Sequence, residues 1–164
     1  MTADETELTD FEPSDYDMTI TRTFDAPRER VFEAWTDPEK AEEWWGPAGF
    51  TSTVHELDAR PGGTYRTDMH APDGTVYPDA GEFHEVEPPE RLVFTSRAFE
   101  DAEDGSYGLE GLTTVTFVDR GEKTELTLEA EIVAARPEVA EALEGMEDGW
   151  SQSLDKLDER LAAH

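Results

Sequence analysis

The chain has 164 residues, of which 41 are Asp or Glu and 13 are Lys or Arg, so its formal net charge is −28. A polyanion of this strength is not attracted to nucleic acid or to an anionic membrane, because both bind clustered Lys and Arg. The chain has no cysteine for disulfides or thiolate chemistry, no apolar run long enough to cross a bilayer and no signal-peptide pattern at its start, which predicts a cytoplasmic protein.

Two regions are expected along the chain. Residues 1–16 are acidic and aperiodic, and we interpret them as a disordered tail. Residues 17–164 are expected to form one domain, a size at which a chain buries a sizeable core. Apolar residues alternate with threonines from Met18 to Phe24, and this period of two predicts the first strand.

Two short helices are predicted after this strand. Asp25 is a plausible N-cap and Pro27 suits the first turn of the first helix. Asp37 and Pro38 repeat the same signal for a second helix, which ends at Gly46.

Six further strands are predicted from apolar and β-branched segments separated by turn residues. They are residues 50–58, 64–70, 76–86, 91–99, 112–118 and 124–132. Turns at such close spacing indicate a largely antiparallel sheet. The acidic segment 100–110 is a candidate lid over a cavity mouth, or else a variable surface loop.

A long amphipathic helix is predicted from Pro137 to the end of the domain. Its apolar residues recur every three or four positions in one stripe: Val139, Leu143, Met146, Trp150, Leu154, Leu157 and Leu161. Gly145 and Gly149 weaken its helix propensity and permit a bend. A helix with one apolar stripe is expected to cover the concave face of the sheet, which predicts an α+β fold.

Six sequence blocks carry a family resemblance. They are residues 25–38 (DAPRERVFEAWTDP), 44–47 (WWGP), 60–65 (RPGGTY), 72–74 (PDG), 88–94 (PPERLVF), and Gly149-Trp150 followed by Leu154 and Leu157. In this order they resemble START-like (SRPBCC) domains, and among these the AHSA-type subgroup named after the activator of a heat-shock chaperone ATPase. The resemblance spans about residues 17–162.

The resemblance implies a helix-grip fold. In this fold a seven-stranded antiparallel sheet wraps around the long C-terminal helix, with a cavity between the two. The family includes ligand carriers, lipid-transfer modules, cyclase and aromatase relatives and chaperone-interacting domains, so the fold does not determine the function.

Acidic and imidazole side chains on the second and third of the six strands are a candidate metal site. Each pair is spaced by two residues and shares a strand face: Asp68 with His70, and Glu82 with His84. A hairpin pivoting on Val76 would bring these pairs together. A pivot on Gly74 instead keeps the histidines apart and places Tyr65 opposite Phe83 and Met69 opposite Asp79. We favour the Gly74 pivot, because it gathers the apolar residues on one face, and predict no metal and no cofactor.

Asp79 is the acidic residue that this register places on the concave face. Burial there would raise its pKa, which suits a general base or a ligand anchor. The alternative, which we favour, is that Pro78 makes this segment an irregular edge and leaves Asp79 solvated.

Aromatic and flexible side chains give the strongest indication of a ligand pocket. The candidate pocket residues are Trp45, Tyr65, Met69, Asp79, Phe83, Phe94, Phe117, Met146 and Trp150. Such side chains with a few polar groups bind apolar or aromatic small molecules. For any single one of them, packing in the core is the simpler interpretation.

Three functional hypotheses follow. The first is a non-enzymatic domain that binds a small hydrophobic ligand. The second is a cyclase- or aromatase-like enzyme that uses Asp79, Tyr65 or Arg97 as acid and base, although no catalytic set is identified. The third is a co-chaperone-type interaction module. The sequence leaves open whether the protein is a monomer or a homodimer.

The charge balance predicts the solvent in which the protein works. Lysine is the scarcer cation, with Lys40, Lys123 and Lys156 alone, and the 16 aromatic residues argue against a disordered chain. An acidic surface with few lysines is typical of halophiles that accumulate salt, because molar salt shortens the Debye length to about 3 Å and screens surface repulsion. An ordinary acidic cytoplasmic protein is the alternative.

Overall fold

The computed structural model describes residues 16–100, 107–136, 139 and 143–162. The predicted tail, apart from Tyr16, lies outside the described residues. The same holds for the middle of the candidate lid and for most of the first turns of the predicted last helix. Within the described part of the chain, no helix combines the length and the apolar composition that a bilayer crossing needs.

In the part of the chain that the structure describes, seven strands and three helices follow one another in the predicted order. The elements are β1 (Met18–Phe24), α1 (Arg28–Thr36), α2 (Pro38–Trp44), β2 (Thr51–Leu57), β3 (Thr64–His70), β4 (Val76–Glu87), β5 (Arg91–Glu100), β6 (Tyr107–Arg120), β7 (Lys123–Ala135) and α3 (Met146–Ala162). The strands β4 to β7 are longer than their apolar patterns suggested, and β5 and β6 take up both ends of the candidate lid.

The strands form one antiparallel sheet in the order β1-β7-β6-β5-β4-β3-β2. The helix α3 packs on this sheet through Leu154, Leu157 and Leu161, which share one core with residues of β6 and β7 such as Phe117 and Leu128. The prediction of an α+β helix-grip fold with two short helices after the first strand is therefore confirmed.

The two short helices begin differently. Asp37 caps α2, since its Oδ1 accepts hydrogen bonds from the amides of Glu39 at 2.9 Å and Lys40 at 3.4 Å. The N-cap predicted at Asp25 is wrong, because Pro27 occupies the cap of α1 and no side chain accepts a bond there. Asp25 lies too early in the chain to reach the amides of the first turn.

The apolar stripe of the C-terminal segment is divided between two clusters. Val139 and Leu143 pack with Ile132 in a small second cluster, to which Tyr16 also packs. The three leucines further along belong to the main core, and Met146 touches both clusters. A turn at Gly145 separates the helical residues 143–144 from α3, at one of the two glycines where a bend was permitted.

The register between β3 and β4 differs by two residues from the prediction. Tyr65 lies opposite Gly81, and Met69 lies opposite Tyr77. The pivot is at Asp73, because Gly74 does not lie at the centre of the tight turn. Gly74 follows the turn in a left-handed conformation, at φ +91°. A shift by two residues preserves the faces, so Asp79 still points to the concave side.

Gly81 lets β4 approach β5 closely. A Cβ at this position would lie 1.7 Å from the carbonyl oxygen of Thr95 and 2.8 Å from Cε1 of Tyr65. The Tyr65 ring therefore lies over a strand position that has no side chain, an arrangement in which the aromatic ring covers the bare glycine.

We expect Gly81→Ala to lower the free energy of unfolding by about 3 kcal/mol or more, because the clash is with backbone and cannot be relieved by a rotamer change. Gly111→Ala is the matched control, since a Cβ there would lie 3.3 Å from the nearest atom, the Glu131 carbonyl oxygen. Denaturant unfolding of both variants measures the difference. Equal losses for the two would show that the close approach at Gly81 is not needed.

Candidate functional site

A cavity of about 480 Å³ lies between α3 and the concave face of the sheet. Its wall is formed by apolar residues and a few polar ones: Trp45, Gly46, Pro47, Phe50, Met69, Val76, Tyr77, Pro78, Asp79, Ser96, Ala98, Leu109, Gly111, Thr113, Ala130, Glu131, Ile132, Met146, Gly149, Trp150 and Ser153. This volume is typical of sites that enclose a small organic molecule.

Small side chains create the space. Ala98, Gly111 and Ala130 on three neighbouring strands face Gly149 and Ser153 on α3 across the cavity. A Cβ at Gly149 would make an ordinary contact, 3.5 Å from Cγ of Pro47, so crowding does not demand glycine there. The main core and the second cluster close the two ends, and the small residues keep the middle unfilled.

The hairpin between β3 and β4 carries an exposed apolar part of the cavity wall, which we take as the mouth of the cavity. Val76 and Tyr77 line the cavity and are 45% and 37% exposed, which is unusual among the large apolar residues described. The ring of Tyr77 lies near that of Phe50, with centroids 6.1 Å apart. Apolar side chains therefore stand where this part of the wall meets solvent.

Asp79 is the buried carboxyl of this wall. It lies on β4 opposite Thr67 on one side and Ala98 on the other, and it is 9% exposed. Burial raises its pKa to about 7, against a smaller opposing effect of a backbone hydrogen bond at Ala80. At neutral pH this carboxyl is thus divided between its neutral and ionised forms.

The favoured prediction that Asp79 is solvated is wrong. Pro78 lacks an amide donor, but the ladder between β4 and β5 ends at Asp79, so the proline lies just beyond the last pair. The strand continues regularly against β3 on its other side, where Pro78 pairs with Asp68. The proline is therefore accommodated without turning the neighbouring carboxyl outward.

The hydroxyl of Tyr65 is a second buried polar group near Asp79. Among the described residues no hydrogen bond of regular geometry forms at its Oη, although the Ser96 side chain lies close enough to lower the pKa of the hydroxyl. Burial raises the pKa of this hydroxyl well above its usual value, and the negative charge of Asp79 raises it further. Two titratable groups thus stand near each other in a poorly solvated region.

The nine predicted pocket residues separate into two groups. Trp45, Met69, Asp79, Met146 and Trp150 line the cavity. Tyr65, Phe83 and Phe94 line a crevice of about 20 Å³ inside the core, and Phe117 is buried in that core. These four side chains fill the core on the concave side of the sheet. This is the alternative interpretation, in which an aromatic residue packs in the core. Whether the first five bind a ligand stays a prediction.

Sequence reasoning missed the small and polar residues of the wall. It selected large aromatic side chains, whereas the space depends on residues such as Gly111, Ala130 and Ser153. The usable signal was the occurrence of small residues at inward positions of β6, β7 and α3, next to positions where a core would need bulk.

Arg97 does not take part in the site. Its guanidinium pairs with Glu82 at 3.1 Å and with Glu110 at 3.5 Å, away from the cavity wall. The hypothesis that Arg97 acts as an acid or a base in the cavity is therefore wrong.

The histidines have separate partners. Nε2 of His55 lies 2.8 Å from an Asp68 carboxylate oxygen, and Nε2 of His70 lies 2.9 Å from Oγ1 of Thr53. His84 belongs to a different part of the sheet. Among the residues that the structure describes, no three His, Asp or Glu side chains lie close enough to hold a metal ion.

Two cations fix α3 beside the cavity. Lys156 donates from Nζ to the carbonyl oxygens of Gly46 at 3.0 Å, Pro47 at 3.3 Å and Phe50 at 3.0 Å, all in the segment that forms one wall. Burial lowers the pKa of this lysine. On the other side, Arg22 of β1 binds the Ser151 hydroxyl at 2.9 Å and the Asp155 carboxylate at 2.8 Å.

A long helix held over a curved antiparallel sheet, with an apolar cavity between them, defines a START-like domain of helix-grip architecture. The family model described as "Activator of Hsp90 ATPase homolog 1-like protein" matches residues 25–162. The chain belongs to this family. It matches no curated protein in sequence.

Solved structures with the same fold come from several bacteria. A crystal structure of a Chromobacterium violaceum protein is 29% identical, with a TM-score of 0.78 over 90% of this chain and 97% of that one. An Arthrobacter aurescens protein solved by NMR is 26% identical, with a TM-score of 0.81 over 94% and 91%. The AHSA1 protein of Silicibacter pomeroyi is 28% identical, with a TM-score of 0.74 over 90% and 98%.

The raised pKa of Asp79 predicts how stability depends on pH. Between the unfolded value of about 3.9 and the folded value of about 7, the folded carboxyl holds a proton that the unfolded one has lost. The contribution of Asp79 to the free energy of unfolding is therefore greatest below its unfolded pKa, and it falls as the pH rises to its folded pKa. The total loss is about 4 kcal/mol, at about 1.4 kcal/mol per pKa unit.

The measurement is the free energy of unfolding against pH for the natural chain and for Asp79→Asn, in the same salt. The difference between the two curves isolates Asp79 from the other carboxylates, whose mutual repulsion also changes with pH. We expect the natural chain to lose stability relative to the variant as pH rises through this range. Parallel curves would show that Asp79 is not desolvated.

Proposed function

We propose that this protein binds a small, largely apolar molecule in the cavity between α3 and the sheet, without transforming it. The observation that carries this proposal is the cavity itself, which has the volume and the apolar wall of a small-molecule site and one buried carboxyl. Membership of a START-like family supports the same conclusion.

Binding is favoured over catalysis by the chemistry of the wall. Among the described lining residues, Asp79 and Glu131 are the carboxylic acids, and Glu131 is exposed to solvent, as is part of the Tyr77 phenol. Acid–base catalysis needs a second group placed to return or remove the proton, and the Tyr65 hydroxyl lies in the core beyond the wall. The arrangement therefore suits an anchor for a ligand group better than a catalytic pair.

Filling the cavity from its wall tests the proposal. We expect the neutral dye Nile red to bind with a rise in its fluorescence, and Ala98→Phe to weaken that binding roughly tenfold or more by occupying the space. Ala134→Phe is the matched control, because Ala134 is exposed on β7 and does not line the cavity. Dye that binds equally to both variants, or does not bind to the natural chain, would contradict the proposal.

We also propose that the protein works in a cytoplasm containing molar salt. The net charge of −28 on a domain this size is strongly self-repelling in dilute buffer. Exposed ion pairs such as Arg60 with Asp58 offset little of this repulsion, since such pairs contribute at most about 1 kcal/mol.

We expect the folded state to be lost as potassium chloride is lowered from molar to millimolar concentration. Glu39→Gln, Glu43→Gln and Glu129→Gln together remove three exposed negative charges, so this variant should stay folded to lower salt. Circular dichroism during a salt titration of both chains measures the shift. Full stability of the natural chain in dilute buffer would disprove the halophilic adaptation.

A further inference from the structure

We propose that the cavity selects apolar molecules that carry one protonated amine, with the carboxylate of Asp79 binding the ammonium group at the inner wall. This inference rests on the proposed ligand-binding function and specifies the class of ligand. It is carried by the sign of the charged residues on the wall, by the position of Asp79 and by the aromatic rings that line the same cavity.

The charges that face the cavity are of one sign. Its described wall contains Asp79 and Glu131 and no Lys, Arg or His. The segments 101–106 and 137–142 likewise contain no basic residue in their sequence. A carboxylate ligand such as a fatty acid would therefore meet negative charge without a compensating cation, which is unfavourable in a poorly solvated site.

Two cations near the cavity already have partners within the protein. Arg97, on the strand next to Asp79, pairs with Glu82 and Glu110. Lys156 of α3 donates to three backbone carbonyl oxygens on the opposite wall. Among the described residues no cation offsets the desolvation of Asp79, whose raised pKa is opposed by a backbone hydrogen bond at Ala80 alone.

A ligand ammonium supplies the partner that Asp79 lacks. An ammonium group has three N–H donors. It can therefore bind the carboxylate and still donate to a neighbouring oxygen such as the hydroxyl of Ser96, which also lines the wall. A hydrogen bond between charged groups in this environment is stronger than one between neutral groups. A neutral hydroxyl can donate one hydrogen bond to the carboxylate but brings no positive charge to balance it.

Aromatic rings reinforce the preference for a cation. Trp45 and Trp150 both line the cavity, with ring centroids 5.4 Å apart at 79°, so one face and one edge meet at a corner of the wall. Tyr77 and Phe50 stand at the mouth. Ring faces attract ammonium groups and also accept an alkyl or aryl body, so one wall serves both parts of the ligand.

Octylamine, octanol and octanoate test the class of ligand, because they share one apolar chain and differ in their polar end. Displacement of Nile red is measured in molar salt, which screens the attraction of any cation to the acidic surface but weakens a buried pair much less. Above the Asp79 pKa of about 7 we expect octylamine to bind most tightly and octanoate least. The advantage of octylamine over octanol should be roughly 10- to 100-fold.

Asp79→Asn should remove the advantage of octylamine while octanol binds as before. The control Glu129→Gln removes one negative charge from the exposed face of β7 and should keep the advantage. In the natural chain the advantage should also shrink as pH falls below about 7, because Asp79 then gains a proton. This pH series needs no variant, so it holds even if Asp79→Asn does not fold.

Each outcome decides one proposal. Equal binding of octylamine and octanol, tighter binding of octanoate, or an advantage that persists in Asp79→Asn or at low pH would overturn the amine preference while leaving ligand binding intact. Failure of Nile red and of all three compounds to bind would overturn the binding function itself.

Discussion

The contact between the last turns of α3 and the concave face of the sheet is what the other features depend on. Leu154, Leu157 and Leu161 are buried in the core that β6 and β7 share with α1 and α2. At the other end, Leu143 packs into a separate cluster around Ile132. A helical segment packed on the sheet at both ends and faced by small residues in the middle leaves an unfilled space, so the cavity is a consequence of how the helix packs.

The properties of the polar groups of the site depend on that packing. A carboxyl on a concave strand position lies in a region from which the helix and the aromatic core have removed water, and desolvation, not a neighbouring charge, sets its proton affinity. This cost to folding is retained on the wall of the cavity in which we propose that a ligand binds. Local destabilisation of this kind is common where a protein binds or reacts.

The sequence predicted the architecture well because periodicity reports burial directly. The alternation from Met18 to Phe24 corresponds to β1, and the part of the apolar stripe from Met146 to Leu161 corresponds to α3. The register at Gly74 was missed because it depends on which turn residue takes the left-handed conformation, and several turns fit the same residues. The burial of Asp79 was missed because it depends on where the neighbouring ladder ends, which local composition does not specify.

The small residues of the wall have a consequence for how such proteins diverge. A side chain enlarged at Ala98 or Ser153, or one reduced at Met69, would reshape the interior without touching the leucines that hold the helix or the hydrogen bonds of the sheet. The fold and the shape of the cavity therefore rest on different positions of the same elements. Relatives that share less than a third of their residues with this chain keep the same backbone arrangement, which leaves the residues of the wall free to differ.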